Sequence, residues 1–191
     1  MQLTELVKQA EQAGQELWPK LEEIINSYDF AKQQQCQIWM RNDLYVRNLG
    51  GLCKVLSAKN VCEIGTMWGD SAIGLSLGAE KVDSYDIDIT NFVNEQIALD
   101  RNINLIKLAD EHDFLNIPFN NYDLVYCDIG THSGVEELAF HNKLVEDGYV
   151  GLVAYDDIEW DSMKQFWNDL PNDKIETNWH SSGFGLVEYV R

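Results

Sequence analysis

Five aspartates of this chain, Asp86, Asp110, Asp128, Asp156 and Asp157, come at the ends of short apolar runs. The runs cover residues 82–85, 103–108, 122–127 and 149–155, each of strand length. In open α/β sheets ligands bind beyond the carboxyl ends of the strands, near the switch in strand order. One such acid is an ordinary strand terminator; acids at four consecutive strand ends point to a shared site. Asp86 also closes the stretch 61–88, which reads as strand, glycine-bearing turn, helix and strand. There Gly65 permits a tight turn and Gly69 a close ligand approach, since neither carries a Cβ. Asp70 or Ser71 can cap the helix that follows. Asp86 sits where a carboxylate takes two hydrogen bonds from a ribose diol, and Asp88 lies one strand period further on, on the same side.

The glycine spacing narrows the ligand. A dinucleotide turn needs G-x-G-x-x-G, and here the pattern is Gly65-x-x-x-Gly69. A Walker phosphate loop needs Gly-Lys-Ser/Thr, whereas Gly69 is followed by Asp70, whose charge would repel a pyrophosphate. A ligand with a ribose and no phosphates fits better, and S-adenosylmethionine is one. Glu63-Ile64-Gly65-x-x-x-Gly69-x-Ser71 resembles motif I of class I methyltransferases, which have a Rossmann-like fold. The resemblance implies that Glu63, Gly65, Gly69, Ser71 and Asp86 surround the cofactor. The loop after the third strand then puts Asp110 near the adenine.

A second resemblance lies in Asp128-Ile129-Gly130-Thr131-His132 and Tyr155-Asp156-Asp157-Ile158. These look like the metal-dependent O-methyltransferases, both catechol-type enzymes and those that methylate macrolide sugars. In them an acid after the fourth strand and a pair after the fifth hold Mg²⁺, which here implies Asp128, Asp156 and Asp157. Three converging carboxylates repel one another, and a hard divalent cation removes that conflict. Such an ion also lowers the pKa of a substrate hydroxyl. Consecutive residues of a regular strand point opposite ways, so Asp156 and Asp157 can share an ion only if the chain turns there. Catechol-type enzymes place a lysine base where Thr131 and His132 stand, and the Gly-x-His-x-Tyr pattern of the sugar-modifying enzymes lacks its tyrosine here. The catalytic candidates are Asp128 and His132, with His132 acting as base or orienting the substrate. His112, His141 and His180 read as structural. Trp68, inside the glycine turn, either packs on the cofactor or plugs the top of the sheet.

The elements that must position these groups follow from periodicity. Alternating strands and helices with a closing hairpin around Ser181-Ser182-Gly183 predict an α/β three-layer sandwich with a mostly parallel, seven-stranded sheet. Residues 60–191 form this core and residues 1–59 an N-terminal helical cap, in one domain. Helical spacing over 1–26 is interrupted by Trp18-Pro19, which predicts two consecutive helices. Further helices are expected over 30–40 and from Asn42 or Asp43 to Leu56. Added N-terminal helices in the resembling family cover the substrate opening or make homodimer contacts; packing on the sheet is the simpler expectation. A helix over 135–144 and one capped by Asp161-Ser162 complete the set.

Composition excludes other classes. The 191 residues carry a net charge of −18, with the acids scattered, which argues against nucleic acid as a partner. No apolar run reaches membrane-spanning length and the N-terminus has no signal-peptide core, so a cytoplasmic protein acting on a small molecule is expected. Cys36, Cys53, Cys62 and Cys127 form no C-x-x-C pair and read as reduced, buried thiols. Three functions remain: a Mg²⁺-dependent O-methyltransferase of a small hydroxylated metabolite or sugar, a non-catalytic cofactor-binding domain, and an NAD-dependent oxidoreductase. The missing third glycine disfavours the last, and the crowding of acids disfavours the second.

Overall fold

The computed structural model describes residues 1–30 and 34–190. Three helices come first, α1 (Leu3–Ser27), α2 (Gln34–Asn42) and α3 (Leu44–Leu56). Then β1 (Asn60–Ile64), α4 (Asp70–Ser76), β2 (Lys81–Asp86), α5 (Glu95–Asp100) and β3 (Ile103–Lys107) alternate. The second half holds β4 (Leu124–Cys127), α6 (Val135–Glu146), β5 (Gly151–Asp156), α7 (Lys164–Asp169) and the hairpin β6 (Asp173–Thr177) and β7 (Phe184–Tyr189). The seven strands form one sheet in the order β3-β2-β1-β4-β5-β7-β6. Strands β1 to β5 pair in parallel, and β7 runs antiparallel to both β5 and β6. This is the predicted α/β architecture.

Strand residues alternate between two buried layers, as the period of two requires. Val61, Tyr126 and Ala154 join the layer under α1, α3, α4 and α5, while Cys62, Val125 and Val153 join the layer under α6 and α7. The four cysteines are free and buried, as expected. Among the described residues no helix is long and apolar enough to cross a membrane.

The expected break at Trp18-Pro19 does not occur: α1 runs unbroken with Pro19 inside it. An interior proline costs about 3 kcal/mol. Leu17, Leu21, Ile24 and Ile25 are buried on one stripe spanning it, each contributing about 1.5–3 kcal/mol, so tertiary burial outweighs the local penalty. The helix expected from Phe30 is described only from Gln34; residues 31–33 lie outside the described residues. Asp43 takes the N-cap position of α3 without a side-chain cap bond. Strand β4 starts after Tyr122, whose N–H closes a 3₁₀ turn onto the Phe119 carbonyl (3.0 Å). Strand β5 starts after Tyr149, whose N–H returns to the Leu144 carbonyl (2.9 Å) at the end of α6. Ser162 does not cap α7, which starts at Lys164; its hydroxyl donates to the His132 carbonyl (2.5 Å).

The N-terminal helices share the sheet's core rather than sitting apart from it. One buried cluster runs from Leu6 on α1 to Leu186 on β7, and Trp179 Nε1 donates to Glu11 on α1 (3.0 Å). The contact between α1 and α3 is close: a Cβ on Gly51 would lie 2.0 Å from the Ala10 carbonyl oxygen. Gly51→Ala is therefore expected to destabilise the fold by roughly 1–3 kcal/mol or more through overpacking. A lowered denaturation midpoint at unchanged slope would register this, and an unaltered midpoint would contradict the packing.

Candidate active site

The site starts at the end of β1. Gly65 has φ +93°, and a Cβ there would come 1.8 Å from the Asp128 carbonyl oxygen. Only glycine lets the first turn and the end of β4 approach so closely. Gly69, at φ +88°, is the N-cap of α4, so neither Asp70 nor Ser71 caps that helix. A Cβ on Gly69 would lie 2.1 Å from the Phe92 ring, so the position is also closely packed against the protein. Trp68 stacks on Trp39 of α2 (centroids 4.8 Å apart), so α2 covers the glycine turn.

Asp70 and Ser71 face inward. The Tyr45 hydroxyl donates to Asp70, whose carboxyl is pushed up to about 6, burial outweighing that bond. Glu63 lies fully buried beneath the turn, with the Ser84 and Ser71 hydroxyls directed to it. Among the described residues its Oε1 has no partner, and burial pushes its carboxyl up to about 8. Asp86 accepts the N–H groups of Thr66 (2.8 Å), Met67 (2.9 Å) and Asp88 (2.9 Å), so it fastens the glycine turn while remaining part-exposed. Asp88 accepts from the Thr90 hydroxyl (2.6 Å), which holds its carboxyl below the usual range.

A cleft of about 560 Å³ opens above β1, β2 and β4, a volume in the range of small-molecule sites. Of the residues expected around a cofactor, Gly65 and Asp86 line it, and Asp88 joins them. Glu63, Gly69 and Ser71 are not among its lining residues. Asp110 is turned to its own loop, accepting the His112 N–H (2.8 Å), and the neighbouring Glu111 faces the cleft instead. Beyond the carboxyl end of β4, Asp128, His132 and the half-exposed Trp160 also line it.

At that end two adjacent parallel strands finish side by side, Cys127 pairing with Tyr155. The turn required after Asp156 is present: Asp157 has φ +56° and leaves the strand. His132, at φ +42°, points its Nε2 to Asp157 Oδ2 (3.2 Å) and Asp128 Oδ1 (3.7 Å). Asp156 accepts from the Tyr126 hydroxyl (2.9 Å), the Asp157 N–H (2.9 Å) and His180 Nδ1 (2.8 Å). The three expected carboxylates thus fall into two overlapping sets, Asp128–His132–Asp157 and Asp156–Asp157–His180, each with ligand atoms within 4.8 Å. Burial, then the charges of Asp156 and Asp157, hold the Asp128 carboxyl well above the ordinary range. Burial and Asp156 raise Asp157 likewise.

His180, expected to be structural, hydrogen-bonds Asp156 at the edge of the site. Burial alone would lower its pKa, but the bond to Asp156 and the charges of Asp156, Asp157 and Asp43 raise it. The signal lay in topology: β7 pairs with β5 through Asp156 and Phe184, so the connection before β7 lands on the acid pair. His141, bonded through Nδ1 to the Tyr189 hydroxyl (2.7 Å), and the exposed His112 stay outside the site.

The buried Glu63 gives a pH prediction. Its folded pKa lies above the unfolded value of 4.5, so its contribution is fully present below about pH 4.5 and lost as pH rises through about 8. Glu63→Gln mimics the protonated acid and is expected to flatten that decline, by roughly 1–3 kcal/mol between pH 5 and 8. Parallel stability profiles for the two proteins in chemical denaturation would contradict a protonated Glu63.

No protein-family model matches the sequence, and no curated protein matches it. Solved structures do share the fold. A Staphylococcus aureus protein described as a caffeoyl-CoA O-methyltransferase has a TM-score of 0.64, 14% identity, and covers 90% of this chain and 98% of its own. The O-methyltransferase TomG from Streptomyces achromogenes, involved in tomaymycin synthesis and solved with S-adenosylmethionine, gives 0.59 at 16% identity over 86% and 91%. The Podospora anserina methyltransferase PaMTH1, bound to SAH, gives 0.58 at 13% identity over 76% and 79%. At these identities the likeness fixes the architecture alone: the chain shares the fold of these methyltransferases.

Proposed function

We propose that the protein transfers a methyl group from S-adenosylmethionine to a hydroxyl of a small molecule, with the help of a divalent cation. The observation that carries this reading is one cleft lined together by Gly65, Asp86, Asp128 and His132. Asp86 and Asp88 present carboxylates to a ribose diol, and the acidic lining suits a sulfonium cation. Beyond β4 and β5, burial and mutual charge hold the Asp128 and Asp157 carboxyls above their usual range, with the His132 and His180 imidazoles beside them, and a divalent cation fits such a donor set. Asp128 and Asp157 would hold that ion, with Asp156 hydrogen-bonded behind them. When bound, the ion supplies charge that lowers the pKa of an acceptor hydroxyl. The acceptor oxygen attacks the methyl carbon and forms the new carbon–oxygen bond, the carbon–sulfur bond breaks, a neutral thioether leaves, and the hydroxyl proton is taken up within the acid cluster. Trp160 offers a flat apolar face beside His132, which suits an acceptor with a ring. What the chain itself contributes is alignment of donor and acceptor.

Calorimetry with S-adenosylmethionine and with NAD tests the cofactor. Binding of the first and none of the second are expected. Asp86→Ala should weaken the binding by about 1.5–3 kcal/mol, the worth of charge-assisted hydrogen bonds. Unchanged affinity would remove Asp86 from the ribose site. Asp128→Asn should lower methyl transfer far more than cofactor affinity; equal losses in both would place Asp128 in cofactor binding instead.

A further inference from the structure

The two overlapping sets at the strand ends are not equivalent. Asp156 already accepts from three donors, and neither it nor His180 lines the cleft. In the other set, Asp128 and His132 both line the cleft, and His132 Nε2 is turned toward two carboxylates. The cis ligands of a small divalent ion, each about 2.1 Å from it, lie roughly 3 Å apart. The spacings of 3.2 and 3.7 Å around His132 approach that arrangement before any ion is considered.

His132 is also fixed in place. Its backbone has a left-handed φ of +42°, its N–H returns to the Ile129 carbonyl (3.0 Å), and its own carbonyl accepts the Ser162 hydroxyl (2.5 Å). Its ring rests against Trp160 (centroids 4.7 Å apart), and its side chain is 12% exposed. Its Nε2 is already directed at Asp157 and Asp128, as a ligand sharing an ion with them must be. The surroundings of His132 are those of a ligand.

On this basis, and resting on the cation-assisted reading above, we propose that His132 is a nitrogen ligand of the metal centre. The set Asp128–His132–Asp157 then selects a first-row transition ion over Mg²⁺. Mg²⁺ takes oxygen ligands and keeps its waters, while an imidazole donor suits Mn²⁺ less and Fe²⁺, Co²⁺, Ni²⁺ or Zn²⁺ more. Two carboxylates and a neutral imidazole balance the ion's charge. Asp156, clamped by Tyr126 and His180, is a positioning residue that sets where Asp157 turns. The general base is then a group other than His132.

The test uses the full chain, stripped of metal and loaded with Mn²⁺ as a spectroscopic probe. Pulsed electron paramagnetic resonance is expected to show coupling to a directly bound imidazole ¹⁴N, retained in His180→Gln and lost in His132→Ala. Competition titration is expected to show that His132→Ala reduces Co²⁺ affinity about tenfold or more while changing Mg²⁺ affinity little. Bound Mn²⁺ without nitrogen coupling in the wild type would overturn the proposal, and that spectrum needs no variant to fold. Coupling that persists in His132→Ala, equal losses for Co²⁺ and Mg²⁺, or no ion bound at all would overturn it too. Nitrogen coupling in a protein that binds no S-adenosylmethionine would support the ligand assignment and count against the methyltransferase reading. Cofactor binding and Mg²⁺-supported transfer without coupling would do the reverse.

Discussion

Carboxylates crowded at the ends of β4 and β5 set the terms for the rest of the molecule. Asp156 and Asp157 are 4% and 8% exposed, and each like charge added to such a place makes the next harder to ionise. The fold answers with donors that arrive from separate directions: Tyr126 from within the sheet, the Asp157 N–H from the turn, and His180 from the connection before β7. His132 comes from the loop before α6. The centre therefore exists only when the sheet is complete, with β4 beside β5 and β7 beside β5.

The glycine turn is joined to this centre by backbone rather than by flexible side chains. The Gly65 Cα lies against the Asp128 carbonyl, so the glycine turn and the first acid cannot shift independently. A polar column beneath the turn, Glu63 with Ser71, Ser84 and Thr66, fixes it from below. Tyr45 on α3 links the turn to this centre: its hydroxyl meets Asp70, its ring lies 4.8 Å from that of His180, and its N–H bonds the Trp179 carbonyl (3.0 Å). The N-terminal helices thus reach the site through named contacts, which is why they belong to the same core.

The sheet and the acid positions were legible because they rest on local signals: apolar runs of strand length, and acids where those runs stop. The glycine spacing was legible as a turn, but its reasons were not. Gly65 answers to Asp128 and Gly69 to Phe92, contacts made between residues distant in sequence. Trp18-Pro19 was read by its local preference, which a continuous buried stripe overrode. Asp110 followed a strand like the other acids, yet its carboxylate serves its own loop, and no periodicity distinguishes the two uses. His180 was hidden because its place depends on β7 inserting between β5 and β6, a fact of strand order rather than of residue type.

One crystallographic measurement bears most directly on the account: anomalous scattering from crystals grown with Mn²⁺ and S-adenosylhomocysteine. A single manganese peak is expected between Asp128 and Asp157, within reach of His132 Nε2, with the ribose of the ligand on Asp86. A peak centred on Asp156 and His180, or a ribose held away from Asp86, would contradict it.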